Sequence, residues 1–272
     1  MQISVKPILK STGPNHYNVV TLECCYPRFI HGEIMTHRVF SRNAMSSRAI
    51  PVAKMLEQVR TEPVVPISWG KNQKGMQADT LVDADTATRA ENLWRNAADS
   101  AAYYAENLDR LGIHKQLANR LLEPFQWMRT IITSTEWHNF LELRDHRDAE
   151  PHFQALAAEV REILEVGSGW QRLQEGQWHL PYLKPEEVAT LSERDACKVS
   201  AARCARVSYL THDGLVPNLE ADLALYERLA GGRPIHASPL EHQVRASQGE
   251  FWSGNIQGFV QHRNLVEAGT WD

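Results

Sequence analysis

Thr36-His37-Arg38-Val39-Phe40-Ser41-Arg42-Asn43-Ala44-Met45-Ser46-Ser47-Arg48 is the most informative stretch of the chain. Between Tyr26 and Leu56 the bases Arg28, Arg38, Arg42, Arg48 and Lys54 face a single acid, Glu33, in a chain whose net charge is −4. Adjacent hydroxyls on Ser46 and Ser47, followed by the planar fork of Arg48, suit a phosphate monoester or diphosphate. The plainer alternative is a solvated basic loop that pairs with acids elsewhere. Residues 41–47 are polar and irregular, and they read as surface and not core.

Outward from this stretch, residues 1–10 and 17–25 are rich in Val, Ile, Thr and Leu, with a Gly13-Pro14-Asn15 turn between them, so both are expected as strands. Residues 29–36 are expected to be helical, and 63–75 form a Pro- and Gly-punctuated loop. A helix is expected over 85–111, with Trp94, Ala98, Ala101, Ala105 and Leu108 at the helical period and Gly112 as its stop. Residues 114–144 read as helical, kinked or split at Pro124. Pro151 opens a further helix that ends at Gly167. Beyond a loop-rich stretch, 201–209 and 242–247 read as strands, and 219–230 and 255–263 as helices. This predicts an α+β fold (α/β mixed) with a central helical bundle and an antiparallel or mixed sheet formed from both chain ends. Neither end carries enough strands alone. A single domain over 1–272 is expected, in three parts: 1–56, 85–166 and 197–272.

Composition narrows the function. At 272 residues with 43% hydrophobic and 23% charged residues, the chain can bury a sizeable core, which excludes disorder as its main state. The slight acidity argues against a general nucleic-acid surface. The N-terminus alternates apolar and polar residues, and no run of about 18 apolar residues exists, so neither a leader nor a membrane span is expected. Cys24, Cys25, Cys197 and Cys204 form no disulfide framework or nucleophile motif, which points to a reducing, cytoplasmic setting. Signatures of P-loop, Rossmann and α/β-hydrolase proteins are missing.

Two more segments carry polar chemistry. Arg120 and Pro124 precede a segment in which Thr135 and Asn139 fall on one helical face and Arg144 closes the helix. Arg144 could equally complement the helix dipole. His236-Ala237-Ser238-Pro239-Leu240-Glu241-His242 has two histidines and a carboxylate, but not at a metal-binding spacing. His146 and His152 lie among Asp145, Asp148 and Glu150 and read as a charged helix junction. No metal site is expected.

Together these segments resemble the flavin-dependent (alternative) thymidylate synthases, the ThyX family. The family signature R-H-R, seven residues, then S-x-R is similar to His37-Arg38, Ser46 and Arg48. An Arg four residues before a Pro and a helix ending N-F-L-x-L-R match Arg120, Pro124 and Asn139–Arg144. H-x-[ST]-P-x-E-H matches residues 236–242, and an A-A-R element resembles Ala201-Ala202-Arg203. The loop Trp69-Gly70-Lys71-Asn72 resembles ThyX-like proteins of phages and some bacteria. In typical family members the H-x-S-P-x-E-H motif precedes R-H-R; here it follows, so the sequence looks like a circularly permuted phage or bacterial variant. A second H-R pair, His262-Arg263, echoes His37-Arg38, but only the N-terminal pair is followed by S-x-R.

The resemblance implies that His37, Arg38, Asn139 and Ser238 bind FAD. It implies that Ser46, Ser47, Arg48 and Arg120 hold a nucleotide 5′-phosphate, with Glu33 near the nucleotide. Arg144 would contact the pyrimidine and act as the catalytic residue. The implied reaction is reductive methylation of dUMP to dTMP with methylenetetrahydrofolate and NADPH as cosubstrates. A homotetramer or other homo-oligomer in the cytoplasm of a bacterium or phage-infected host is implied, with neither membrane nor nucleic acid as partner. The sequence departs from the pattern at Thr36 (for Arg), Ala44 (for Glu), Ala49 (for Tyr) and Thr133-Ser134-Thr135 (for N-x-R). Two other readings are a hydroxymethylase acting on dUMP or dCMP, and a non-catalytic relative that binds nucleotides or nucleic acid.

Overall fold

A computed structural model describes residues 1–209 and 218–271. The first half holds β1 (Ser4–Thr12), β2 (Asn18–Pro27), α1 (His31–Ile34), β3 (Ser41–Ala44), α2 (Val52–Thr61), α3 (Ala84–Arg110), α4 (Lys115–Ala118), β4 (Trp127–Ser134) and α5 (His138–Arg144). There follow α6 (Pro151–Glu165), β5 (Trp170–Arg172), β6 (Trp178–His179), α7 (Pro185–Thr190), α8 (Glu193–Arg206) and α9 (Leu219–Ala230). The polypeptide closes with β7 (Val244–Ala246), β8 (Trp252–Ser253), β9 (Ile256–Gln257), β10 (Phe259–Gln261) and α10 (His262–Glu267).

The main sheet has the order β3-β4-β2-β1-β5. Its pairs are antiparallel except β1 with β5, so the sheet is mixed as expected. The alternation of β2 explains its position. Val20, Leu22, Cys24 and Tyr26 point to one face and pack with Ile30, Phe40, Met55, Leu122, Phe153 and Leu156 in the main core. On that side α3 buries Ala98, Ala102 and Ala105. Asp83 caps its N-terminus by accepting from the Thr86 amide, and Gly112, at φ +75, continues the backbone after its end. The opposite face carries Val19 and Thr21. It is covered by a second layer, the three-stranded sheet β10-β7-β6 together with Leu173, Ile256 and Phe259.

The mixed helix-and-sheet class holds, but the strands are shared out differently from the expected single sheet built from both ends. The strand that completes the main sheet, β4, comes from mid-sequence, and the C-terminal strands form their own layer. Residues 114–144 are therefore not one kinked helix. The run Thr130-Ile131-Ile132-Thr133 is β-branched and pairs with β2 from Val20↔Ser134 to Pro27↔Trp127. Residues 201–209 are not a strand but the end of α8 and a 3-10 turn. Ser192 caps α8 by accepting from the Asp195 amide, and the Ala- and Cys-rich stretch 196–205 packs buried, Lys198 excepted. Within 255–263, Ile256–Gln257 and Phe259–Gln261 are strands and α10 starts only at His262, because Gly254-Asn255 makes a two-residue hairpin turn. Gly258 sits at φ +74, and a Cβ there would meet Tyr17 at 2.6 Å. Residues 41–47 are not surface either: Ser41, Asn43, Met45 and Ser47 are buried, since β3 lies against β4.

Candidate active site

Arg144 stands in the last turn of α5, whose Phe140 is buried and so orients the helix. Its Nη1 donates to Glu33 Oε2 at 2.9 Å, from the one-turn helix α1. Its Nε donates to His37 Nε2 at 3.2 Å, and its guanidinium carbon lies 4.4 Å from the centre of the Phe153 ring. An imidazole that accepts at Nε2 is neutral, with its proton on Nδ1. Burial, then the Arg144 and Arg42 charges, push the His37 pKa down to about 4. Phe40, Phe140 and Phe153 surround the His37 ring. The guanidinium is thus clamped on three sides and remains one-fifth exposed.

It opens on a cleft of about 1080 Å³, lined by Phe29, Glu33, Arg144, Arg147, Asp148 and His152 and by the 66–81 loop. The loop expected from Pro and Gly content is thereby a wall of the cleft. His152 fastens it, accepting from the Ile67 amide at 3.0 Å while its Nδ1 contacts Glu150 at 2.6 Å. Glu150 also caps α6 by accepting from the Phe153 amide.

A second group centres on Glu123. Its Oε1 accepts from Arg28 (2.9 Å), Ser47 (3.1 Å) and Arg120 (2.8 Å). Ser47 is buried, while Ser46 is half-buried and accepts from the Arg48 amide at 3.3 Å. The Arg48 side group is exposed. Sequence reasoning missed Arg28 and Glu123 as members of this group. The only hint was the three-residue spacing of Arg120 and Glu123.

The third group joins the two ends of the sequence. Arg38, Arg42, Glu241 and Arg263 line a polar pocket of about 410 Å³, so both H-R pairs reach one place. Arg263 is paired with Glu241 and Glu267. Arg38 is exposed and has no ion pair among the described residues. Arg42 donates to the carbonyls of Ile34 and His37, tying this pocket to the Arg144 cluster. Ser238 Oγ donates to Asn43 Oδ1 at 3.2 Å, which brings the 236–242 motif onto β3. Asn139 is exposed on α5, and its amide makes no hydrogen bond among the described residues. Among those residues no His, Cys, Asp or Glu group is placed to hold a metal, and no helix is long and apolar enough to cross a membrane.

Residues 9–166 match the sequence model of the thymidylate synthase complementing protein family, Thy1. The 236–242 motif lies outside that match. Two solved structures of the UMP/dUMP methylase PolB from Streptomyces cacaoi are similar. The one bound with 5-Br UMP has 17% identity and a TM-score of 0.50 over 62% of this chain and 91% of that one. The one bound with 5-Br dUMP has 19% identity and a TM-score of 0.47 over 58% and 70%. Among curated proteins none matches the sequence. The family match spans more than half of the sequence and includes the segments that carry Glu33, His37, Arg120 and Arg144, so this chain belongs to the Thy1 family of flavin-dependent thymidylate synthases.

Proposed function

We propose that this protein is a flavin-dependent enzyme that methylates dUMP at C5 to give dTMP, with methylenetetrahydrofolate as carbon donor and NADPH as reductant. The observation that carries this reading is the clamped guanidinium of Arg144 at the wall of a large cleft. Attack through C5 of uracil builds negative charge on the ring, and a pre-fixed cation stabilises that charge without having to reorganise. Arg144 can only donate hydrogen bonds, which suits the uracil carbonyls better than the cytosine amino group.

FAD would supply the redox chemistry when bound. The pocket fits an anionic group in part: Arg38 offers a guanidinium without an ion pair among the described residues, beside Arg42. Asn139 and Ser238, assigned to the flavin with them, lie outside the lining of that pocket, and the Ser238 hydroxyl already donates to Asn43. His37 does not fit a direct contact, because aromatic rings enclose it and its Nε2 already accepts from Arg144. Its role in this reading is to hold Arg144. Of the two H-R pairs, the N-terminal one supplies the available guanidinium and is the one assigned to the flavin.

Ser46, Ser47, Arg48 and Arg120 serve the nucleotide phosphate, with Arg28 added by its place beside Ser47. Burial holds the Cys24, Cys197 and Cys204 thiols well above their ordinary range, which agrees with chemistry that needs no cysteine nucleophile. The exposed apolar residues Leu93, Tyr103, Tyr104, Leu111 and Leu117 support assembly of copies, a tetramer in this reading. A cytoplasmic location goes with it.

The test is the mass of the nucleotide product after incubation with FAD, NADPH, methylenetetrahydrofolate and either dUMP or dCMP. Methylated dUMP is expected. A hydroxymethylated product moves the function to base hydroxymethylation, and no product from a colourless protein leaves a nucleotide-binding module.

A further inference from the structure

The cleft that holds Arg144 has one wall outside the sheets and the long helices, the 66–81 segment. Its stem is a short ladder around the Gly70↔Leu81 bridge. The Lys71 amide donates to the Thr80 carbonyl (2.7 Å) and the Val82 amide to the Trp69 carbonyl (3.0 Å). Residues 71–80 beyond it are all exposed. The wall therefore has no core of its own, and its position depends on where the stem is tied down. Two cleft residues tie it. Trp94 Nε1 donates to the Val64 carbonyl (2.7 Å), and its ring meets Trp69 edge-on at 6.3 Å. His152 Nε2 accepts from the Ile67 amide (3.0 Å).

The histidine tie has a fixed polarity. A backbone amide only donates, so Nε2 of His152 is an acceptor and the ring proton sits on Nδ1, facing the Glu150 carboxylate at 2.6 Å. Turning the ring over would put carbon atoms at both contacts. The ring is buried and packs edge-on against Phe29 at 4.9 Å, which shields both bonds from water. The second oxygen of Glu150 accepts from the Phe153 amide (2.9 Å), and Phe153 is the ring on which the Arg144 guanidinium rests. One carboxylate thus holds the wall through His152 and the platform of Arg144 through the first turn of α6.

We propose that His152, its tautomer set by Glu150, is a positioning residue for the reaction: it holds the 66–81 wall in register with Arg144, and so sets how tightly the cleft takes its occupants. The kinetic consequence rests on the proposed dUMP reading. The latch between His152 and Ile67 does not.

The latch is tested by amide hydrogen exchange, without ligand. The Ile67 amide should be protected in the unaltered protein, although its side chain is exposed. It should exchange roughly tenfold faster in His152→Leu. Glu150→Ala leaves the buried ring in place, costs folding no more than one helix cap, and should speed the same amide. An unprotected Ile67 amide in the unaltered protein, or equal protection in both variants, would overturn the latch. Steady-state kinetics test the positioning role. In His152→Leu the KM for dUMP or for methylenetetrahydrofolate should rise roughly three- to tenfold, with kcat falling by a smaller factor. His152→Gln, whose side-chain oxygen can reach the position of Nε2, should recover most of that KM. Unchanged KM for both molecules, or no recovery with Gln, overturns the positioning role. No turnover by the unaltered protein is instead a failure of the functional reading, and the latch is then decided by the Ile67 amide alone.

Discussion

Arg144 and Glu33, separated by 111 residues, meet through a 2.9 Å hydrogen bond that closes one side of the cleft. Glu33 is two-fifths exposed, so the pair itself adds little to stability; its consequence is the orientation of the guanidinium. Arg144→Ala should lower kcat by roughly 10²–10³-fold, the range for losing one charge-stabilising donor. Flavin absorbance of the purified variant should persist. Arg144→Lys should rescue little, because an ammonium cannot span Glu33 and His37 as a fork does. Unchanged turnover in Arg144→Ala would remove this residue from the chemistry.

Glu123 occupies the centre of the donor set assigned to phosphate. Its carboxylate gathers Arg28, Ser47 and Arg120 and so competes with a nucleotide's phosphate for the same donors. Glu123→Gln removes the charge and keeps the shape. The KM for dUMP should fall several-fold with kcat little changed, read from steady-state kinetics. A higher KM would mean that the carboxylate positions the arginines instead.

Asp222 is buried between Arg203 (3.0 Å) and Arg206 (2.7 Å), and Arg203 also meets Glu187. Asp222→Ala removes the buried carboxylate that the two guanidinium groups share at the α8–α9 contact, while Arg203 keeps Glu187. The expected loss is about 1–3 kcal/mol, measured by urea denaturation. A change below about 1 kcal/mol would mean that the helices are held by apolar packing alone.

The buried histidines make stability depend on pH in one direction. In the folded protein, His179 and His242 have pKa values near 3, and His31, His37 and His262 near 4, each lowered first by burial. Their ordinary value is about 6.5. Below that pH the unfolded state takes up protons that the folded state refuses. This contribution is therefore complete above about pH 6.5 and is lost as pH falls toward 3–4. The slope reaches about 1.4 kcal/mol per pH unit for each such histidine. Urea midpoints should be flat from pH 8 to 7 and drop by pH 5.5; a rise on acidification would contradict the buried, neutral state.

Of the four cysteines, Cys24, Cys197 and Cys204 are buried and Cys25 is half-buried. A thiol reagent should therefore label Cys25 first and slowly, with the other three released only by denaturant. Rapid labelling of Cys204 would indicate that α8 opens.

The first two strands and the long helix α3 were legible because their signals are local. Alternation, a Gly-Pro-Asn turn and an Asp cap each act within a few residues. The β4 segment misled because it lies in a stretch whose apolar residues also fit a helical period. The β-branched run Thr130–Thr133 was the contrary local signal, and pairing with β2 and β3 decided the outcome. Residues 201–206 could have been read as helix from the Ser192 cap and the alanine content.

The sequence by itself determined the family, through His37-Arg38, Ser46, Arg48, Arg120 and the Asn139–Arg144 helix, because these motifs are fixed by spacing along the backbone. It also determined the charge character of the candidate site. Tertiary structure alone decided that His37 meets Arg144, that Glu123 sits among Arg28, Ser47 and Arg120, and that Arg38 and Arg263 share a pocket. It also decided that the polar face of the main sheet joins His179 to His242. These are pairings between residues far apart in sequence. Hydrogen-bond partners and burial follow from which strands lie side by side and which layer covers them, and no local pattern encodes that.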